Sequence, residues 1–331
     1  MTAQDSFASV LGPTIARYLT LKQALGRRYD VERRILEHLD RFLETSGSDL
    51  TADSFTGWCQ MQIHLASGVR RSWMRITRNL CLYRRRSEPA CFVPDAELFP
   101  PNHAPLRPFI FSEAEIARLL HAADQLTSTP LSPLRREVFR LAIVLLYTCG
   151  LRRGELLRLT LGDYDPQEQT LHIRASKFHK SRLLPLSADA TQELDTYLKR
   201  RRSVGLPTSA DAPLLCNRHR GGLTYTGGGF AQGLRGRLRS AGIRTGAGDV
   251  PRVHDIRHTF AVHALVRWYR AGAEVQAKLP FLAAYMGHVS IVSTEHYLQF
   301  IEPLATLASE RFASHCGALV TAREGEVGGA S

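Results

Sequence analysis

Six prolines crowd the stretch from residue 88 to 108, at positions 89, 94, 100, 101, 105 and 108. Each removes a backbone donor and fixes φ, so neither a continuous helix nor a central strand can run through it. The chain therefore reads as two folded parts, residues 1–88 and 111–316, joined by a proline-rich linker at 89–110 and followed by a disordered tail at 317–331. A length of 331 residues suits two domains of ordinary size. Directly after the linker, Ser112 and Glu115 stand at capping-box spacing ahead of Ile116, Leu119 and Leu120, which marks a fresh helix start.

The first part is helical in pattern, with Leu36, Leu39 and Leu43 at spacings of three and four, and three or four helices fit its length. No acidic residue falls between residues 54 and 87, where Arg70, Arg71, Arg75, Arg78, Arg84, Arg85 and Arg86 accumulate. On a helix Arg71, Arg75 and Arg78 share one face. A solvated surface is the plain reading of such a stripe, and phosphate contact is the functional one.

In the second part, residues 134–147 read as a buried helix, and 171–176 with 182–186 as a short β-hairpin. Helical periodicity returns over 187–202, 228–241, 253–270, 274–287 and 303–316. The expected fold is thus mainly α, with a small β-hairpin or sheet in the second domain.

Charge narrows the partner. Lys and Arg exceed Asp and Glu by 12, and the excess lies mostly beyond residue 100, which points to a polyanion such as nucleic acid. The six cysteines show no C-x-x-C pair, which argues against a zinc site or a disulfide framework and fits a reducing cytoplasm. The longest aliphatic run, residues 141–147, is too short to span a bilayer.

Four segments place a cation, an imidazole or a phenol where a phosphate could bind. At 147–156, a buried helix ends at Gly150 and Arg152 opens the next, with Glu155 placed to hold its guanidinium or cap the helix. At 176–186, Lys177, Lys180 and Arg182 surround a hairpin tip. At 254–258, the apolar stripe of Val253, Ile256, Phe260 and Ala264 leaves His254 and Arg257 on an adjacent face. His254 and His258 also have the spacing of a zinc helix, but the general-base Glu is missing and Arg257 would repel a dication. At 286–297, Tyr297 follows His288 by nine residues. Alone, each has a bland alternative: an Arg/Glu pair, solubilising lysines, a packing tyrosine.

Together these segments resemble the tyrosine recombinase (phage integrase) family. Arg152 lies in a version of its Thr-Gly-Leu-Arg-x-x-Glu box with Cys149 in place of threonine. Lys177 matches the hairpin lysine, His254 and Arg257 form the His-x-x-Arg box, His288 follows a Met-Gly pair, and Tyr297 lies at the family interval. At the hairpin tip, Phe178 and His179 stand where the family has Gly and Asn. The motifs cover roughly residues 110–300. The first hundred residues agree with the family's core-binding domain in size and helicity, and no arm-binding domain is expected ahead of them.

The resemblance implies cleavage and rejoining of double-stranded DNA at paired sites through a 3′-phosphotyrosine on Tyr297. Arg152, Arg257, His254 and His288 would surround the phosphate, Glu155 would support them, and Lys177 would protonate the leaving oxygen. Arg71, Arg75, Arg78, Lys180 and Arg182 would contact DNA. No metal, other cofactor or ATP is implied. The expected partners are a homo-oligomer, tetrameric in the synapse, and accessory proteins of a mobile element; the expected location is the bacterial cytoplasm and nucleoid. A type IB topoisomerase and a non-catalytic DNA-binding regulator are the alternatives.

Overall fold

A computed structural model describes residues 7–27, 29–101, 107–174, 181–218, 224–288, 290, 292–295, 297 and 298. Two compact units, Met1–Arg107 and Pro108–Ser331, make up the chain.

Four helices form the first unit: α1 (Gly12–Ala24), α2 (Asp30–Ser46), α3 (Ala52–Gln60) and α4 (Ser67–Arg84). Pro13 sits in the first turn of α1, where its missing N–H costs nothing. Thr51 and Ser54 close a capping box on α3. The expected periodicity is realised in a core of Ile15, Leu36, Leu39, Leu43, Leu80 and Trp58, with the Trp58 and Trp73 rings stacked at 6.0 Å.

The proline-rich stretch is not a free linker along its whole length. Phe92, Val93, Ala96 and Phe99 pack on the core of the first unit, and the division falls at 107/108, near the end of the expected linker at 89–110. Arginines hold this stretch in place. Arg71 donates to the carbonyls of Phe99 and Pro100 at 3.3 and 2.7 Å, and Arg78 donates to that of Pro94 at 3.0 Å. A proline-dense strap has few N–H groups with which to pair its own carbonyls, so side-chain donors serve them. Arg84 is likewise engaged, by Asp49 at 2.7 Å and Glu88 at 2.6 Å. The arginine run is therefore compensated in part from outside its own helix. Within the proposed stripe Arg75 is the exposed member.

The second unit contains α5 (Glu113–Asp124), α6 (Arg135–Thr148), α7 (Arg153–Leu156), α8 (Ala188–Ser203), α9 (Gly227–Ser240), α10 (Val253–Arg270), α11 (Val275–Met286) and α12 (Val292–Glu295). An antiparallel sheet of β1 (Tyr164–Asp165), β2 (Thr170–Ile173) and β3 (Arg182–Pro185) lies between α7 and α8 in sequence. Ser112 and Glu115 form the expected capping box on α5. Helix α6 is buried along its length and packs with α5, α8 and the sheet in one core through Phe139, Leu145, Leu171, Leu184 and Leu194. The β1 strand, two residues long, was too short to show as an alternating pattern. The expected helix at 303–316 lies outside the described residues.

The register of the hairpin sets one functional side chain. Leu171 opposes Leu184 and Ile173 opposes Arg182. Side chains alternate along a strand, so Arg182 shares the face of buried Leu184, while Leu183 between them is 66% exposed. Arg182 thus points into the protein, which corrects its assignment as a DNA contact. Lys177 and Lys180 lie outside the described residues.

These pairings separate the arginines of α4 by experiment. Arg75→Ala is expected to lower the slope of log K against log salt for DNA binding by about 0.9, the loss of one phosphate contact. Replacing Arg71 and Arg78 together is expected to speed proteolysis within residues 88–101 and to lower thermal stability. Binding titrations over a salt series and limited digestion check the two outcomes.

Candidate active site

The site is built around one buried carboxylate. Glu155 lies in the single turn of α7 and its side chain is 1% exposed. Its Oε2 accepts the backbone N–H of Arg152 at 3.0 Å and Oε1 accepts the Arg152 guanidinium at 2.7 Å. Arg182 reaches it from β3 at 2.9 and 3.3 Å, and Arg257 from α10 at 4.0 Å. Burial alone would raise the carboxyl pKa, but the hydrogen bonds and charge of Arg182 and Arg152 outweigh it and hold the group at about 2.

Further donors of the same three arginines go to one helix end. Arg182, Arg257 and Arg152 donate to the successive carbonyls of Tyr285, Met286 and Gly287, at 2.8, 2.7 and 2.9 Å. The last carbonyls of a helix have no partner within it and carry its negative dipole end, so three cations suit them well. The sequence Met286-Gly287-His288 shapes this end. Gly287 turns left-handed at φ 69° and the N–H of His288 bonds back to the carbonyl of Ala283 at 2.8 Å, a Schellman closure. A Cβ on Gly287 would lie 2.7 Å from the Arg182 guanidinium, so only glycine fits.

Gly150 plays the matching part at the end of α6. Its φ is 57°, its carbonyl accepts the Arg257 guanidinium, and a Cβ there would lie 2.4 Å from the Phe260 ring. Arg257 is consequently 1% exposed. Burial, then the charge of Arg152, lowers its pKa to about 10, which leaves it protonated at neutral pH. Helix α10 repeats the capping of α7: the Arg252 N–H and guanidinium bind Asp255 at 2.8 and 2.9 Å.

The imidazoles and the phenol gather beside these cations. His254 lies one turn before Arg257 on α10, is exposed, and has its pKa lowered by desolvation and by Arg257. The Nδ1 of His288 is 2.8 Å from the hydroxyl of buried Thr294. Burial, then Arg257, Arg152 and Arg182, lowers the His288 pKa to about 4, so the ring is neutral at pH 7. Tyr297 is 3% exposed and its ring stacks on His288 at 6.0 Å. Burial raises the phenol pKa and Arg257 opposes the rise.

The structure thus brings together Arg152, Glu155, His254, Arg257, His288 and Tyr297, and adds Arg182 as a support of Glu155. Among the described residues no group of three or more His, Cys, Asp or Glu stands ready to hold a metal ion.

Residues 110–301 match the sequence profile of the phage integrase family. A putative integrase/recombinase of Sinorhizobium fredii (strain NBRC 101917 / NGR234), y4rE, is 34% identical over 313 residues, 92% of this chain and 97% of that protein. A second from the same strain, y4rB, is 32% identical over 294 residues, 88% and 93% of the two chains. The chain belongs to the phage integrase family. Among solved structures, a lambda integrase dimer bound to a COC′ core site superposes with a TM-score of 0.59 at 16% identity, over 86% of this chain and 94% of that one. That likeness is one of fold: a helical protein with a small sheet and the two-domain architecture of tyrosine recombinases.

Sequence reasoning placed five of the family's motif positions within this cluster. It missed the carbonyls of Gly150 and the end of α11, because main-chain acceptors leave no mark in side-chain identity. A glycine after each helix was their available signal.

The Glu155 clamp has a measurable pH signature. Its pKa is depressed from 4.5 to about 2, so its stabilisation is present above about pH 4.5 and is lost as pH falls toward 2. At neutral pH the shift corresponds to about 3 kcal/mol. Glu155→Gln is expected to lose stability of this order and to show a flatter decline between pH 4.5 and 2 than the parent. Denaturant titrations across that range give the comparison.

Proposed function

We propose that this chain cuts and rejoins DNA at specific sites with Tyr297 as nucleophile. One observation carries the reading: two arginines, two imidazoles and a phenol lie together in the second unit, with the guanidiniums oriented by Glu155. The phenol oxygen attacks the phosphorus and the bond to the 5′ oxygen breaks, leaving the DNA joined through a 3′-phosphotyrosine. Arg152 and Arg257 offer planar forks to the non-bridging oxygens, whose charge grows in the transition state.

His288, neutral at pH 7, is suited to accept the phenol proton or to hydrogen bond a phosphoryl oxygen, and His254 flanks the same position. Lys177 supplies the proton to the leaving 5′ oxygen. Attack of a 5′-hydroxyl on the phosphotyrosine reverses each step, so rejoining needs no ATP. Charge stabilisation by these side chains requires no metal ion. Losing one arginine fork costs roughly 3 to 4 kcal/mol of transition-state stabilisation, as for oxyanion-hole donors.

Recombination between two duplexes calls for paired DNA sites and a homo-oligomer of the chain, tetrameric in the synapse, within the nucleoid. The stretch of residues 268–297 fits an enzyme of a mobile element, in which accessory proteins assist. No helix among the described residues is long and apolar enough to cross a membrane.

Nicked DNA fragments that trap covalent complexes test the assignment. Tyr297→Phe is expected to bind DNA as the parent does and to form no protease-sensitive adduct; an adduct retained by the variant moves the nucleophile elsewhere. Lys177→Ala is expected to slow cleavage far more than Lys180→Ala, and a substrate with sulfur as the 5′ leaving atom is expected to restore the rate, since a thiolate departs without a proton. Equal defects in the two variants, or no rescue, remove Lys177 from the role.

A further inference from the structure

Tyr297 lies just beyond α12, a helix of four residues, and belongs to a buried cluster with Phe260, Leu265 and Met286. Two imidazoles pack on its ring. His288 stacks on Tyr297 with an interplanar angle of 23°. His258 approaches the same ring with centroids 5.4 Å apart and planes tilted by 60°. The His258 ring also meets His254 edge-on, at 4.7 Å and 89°. One side chain therefore stands between the nucleophile and an imidazole that flanks the phosphate.

The platform under His258 is rigid. Helix α10 runs for 18 residues, Arg257 beside His258 is 1% exposed, and the neighbouring Thr259 accepts the Phe111 N–H at 3.0 Å. A ring mounted on such a helix transmits its position to whatever packs on it. Offset and tilted aromatic contacts at these separations are attractive and directional.

We propose that His258 is a positioning residue for the cleavage reaction: its ring, seated between His254 and Tyr297, holds the phenol in the orientation needed for in-line attack. The inference rests on Tyr297 being the nucleophile. His258 acts here through its aromatic ring and takes no proton.

The test compares His258→Phe, which keeps a ring, with His258→Leu, which fills similar space without one, and with His258→Ala. Each is measured in the full chain for single-turnover cleavage of a nicked fragment at saturating DNA, for DNA affinity and for thermal stability. Tyr297→Phe runs in parallel: an adduct formed by the parent and absent from that variant secures the nucleophile independently of His258. Expected is a cleavage rate reduced about ten- to a hundredfold in His258→Leu and His258→Ala, the scale of a misplaced reactive group, with affinity unchanged. His258→Phe is expected to cleave within a few-fold of the parent. A phenylalanine variant as slow as the leucine variant overturns the proposal, because a ring without nitrogen then fails where it should suffice. So does a leucine variant that cleaves at the parental rate, or a defect confined to DNA affinity.

Discussion

The Glu155 carboxylate is the point on which the second unit's chemistry depends. It joins three pieces of chain: the start of α7 through Arg152, strand β3 through Arg182, and helix α10 through Arg257. A charge this deeply buried survives only when paired and hydrogen-bonded on all sides, and here each oxygen has cationic donors. The guanidiniums in turn reach three consecutive carbonyls at the end of α11, which fixes the loop carrying His288. One acidic side chain thereby sets the relative positions of four elements, and its removal would leave three cations facing one another.

That arrangement also sets the electrostatics. Three guanidiniums against one carboxylate leave an excess of positive charge in a partly dehydrated pocket, where an anion is favoured more strongly than in water. Burial, with this field added to it, holds His288 unprotonated. Cations fixed before the substrate arrives need no reorganisation when charge develops on it, and this is the physical advantage of locking arginines against a carboxylate and a helix end.

How much of this was legible in the sequence follows from the kind of force involved. Helix positions were, because apolar spacing reports burial directly: α6, α8, α9 and α10 fall within one or two residues of the periodic segments. Arg152, His254, Arg257, His288 and Tyr297 stood out through the family motifs they match, and the structure gathers them near Glu155. Arg182 was misread because hairpin lysines and arginines look alike until the register shows which face each occupies. The structural bonds of Arg71 and Arg78 were hidden for a different reason: their partners are carbonyls of a proline strap far along the chain, and nothing in side-chain identity announces a main-chain acceptor. The strap itself showed only as a helix breaker, since proline content says where regular structure stops and not what the stretch packs against.

The buried state of Tyr297 completes the electrostatic argument. A phenolate beside Arg257 would form a tight ion pair and cancel the charge that a phosphate has to meet. Burial raises the phenol pKa by more than Arg257 lowers it, so the resting side chain is neutral. A guanidinium interacts less firmly with a neutral phenol than with a phenolate, which leaves Arg257 free to turn to an arriving phosphate. The same burial that keeps the phenol neutral therefore keeps the arginine available. Loss of the proton then belongs to the moment at which the phosphate and a neutral imidazole are both in place.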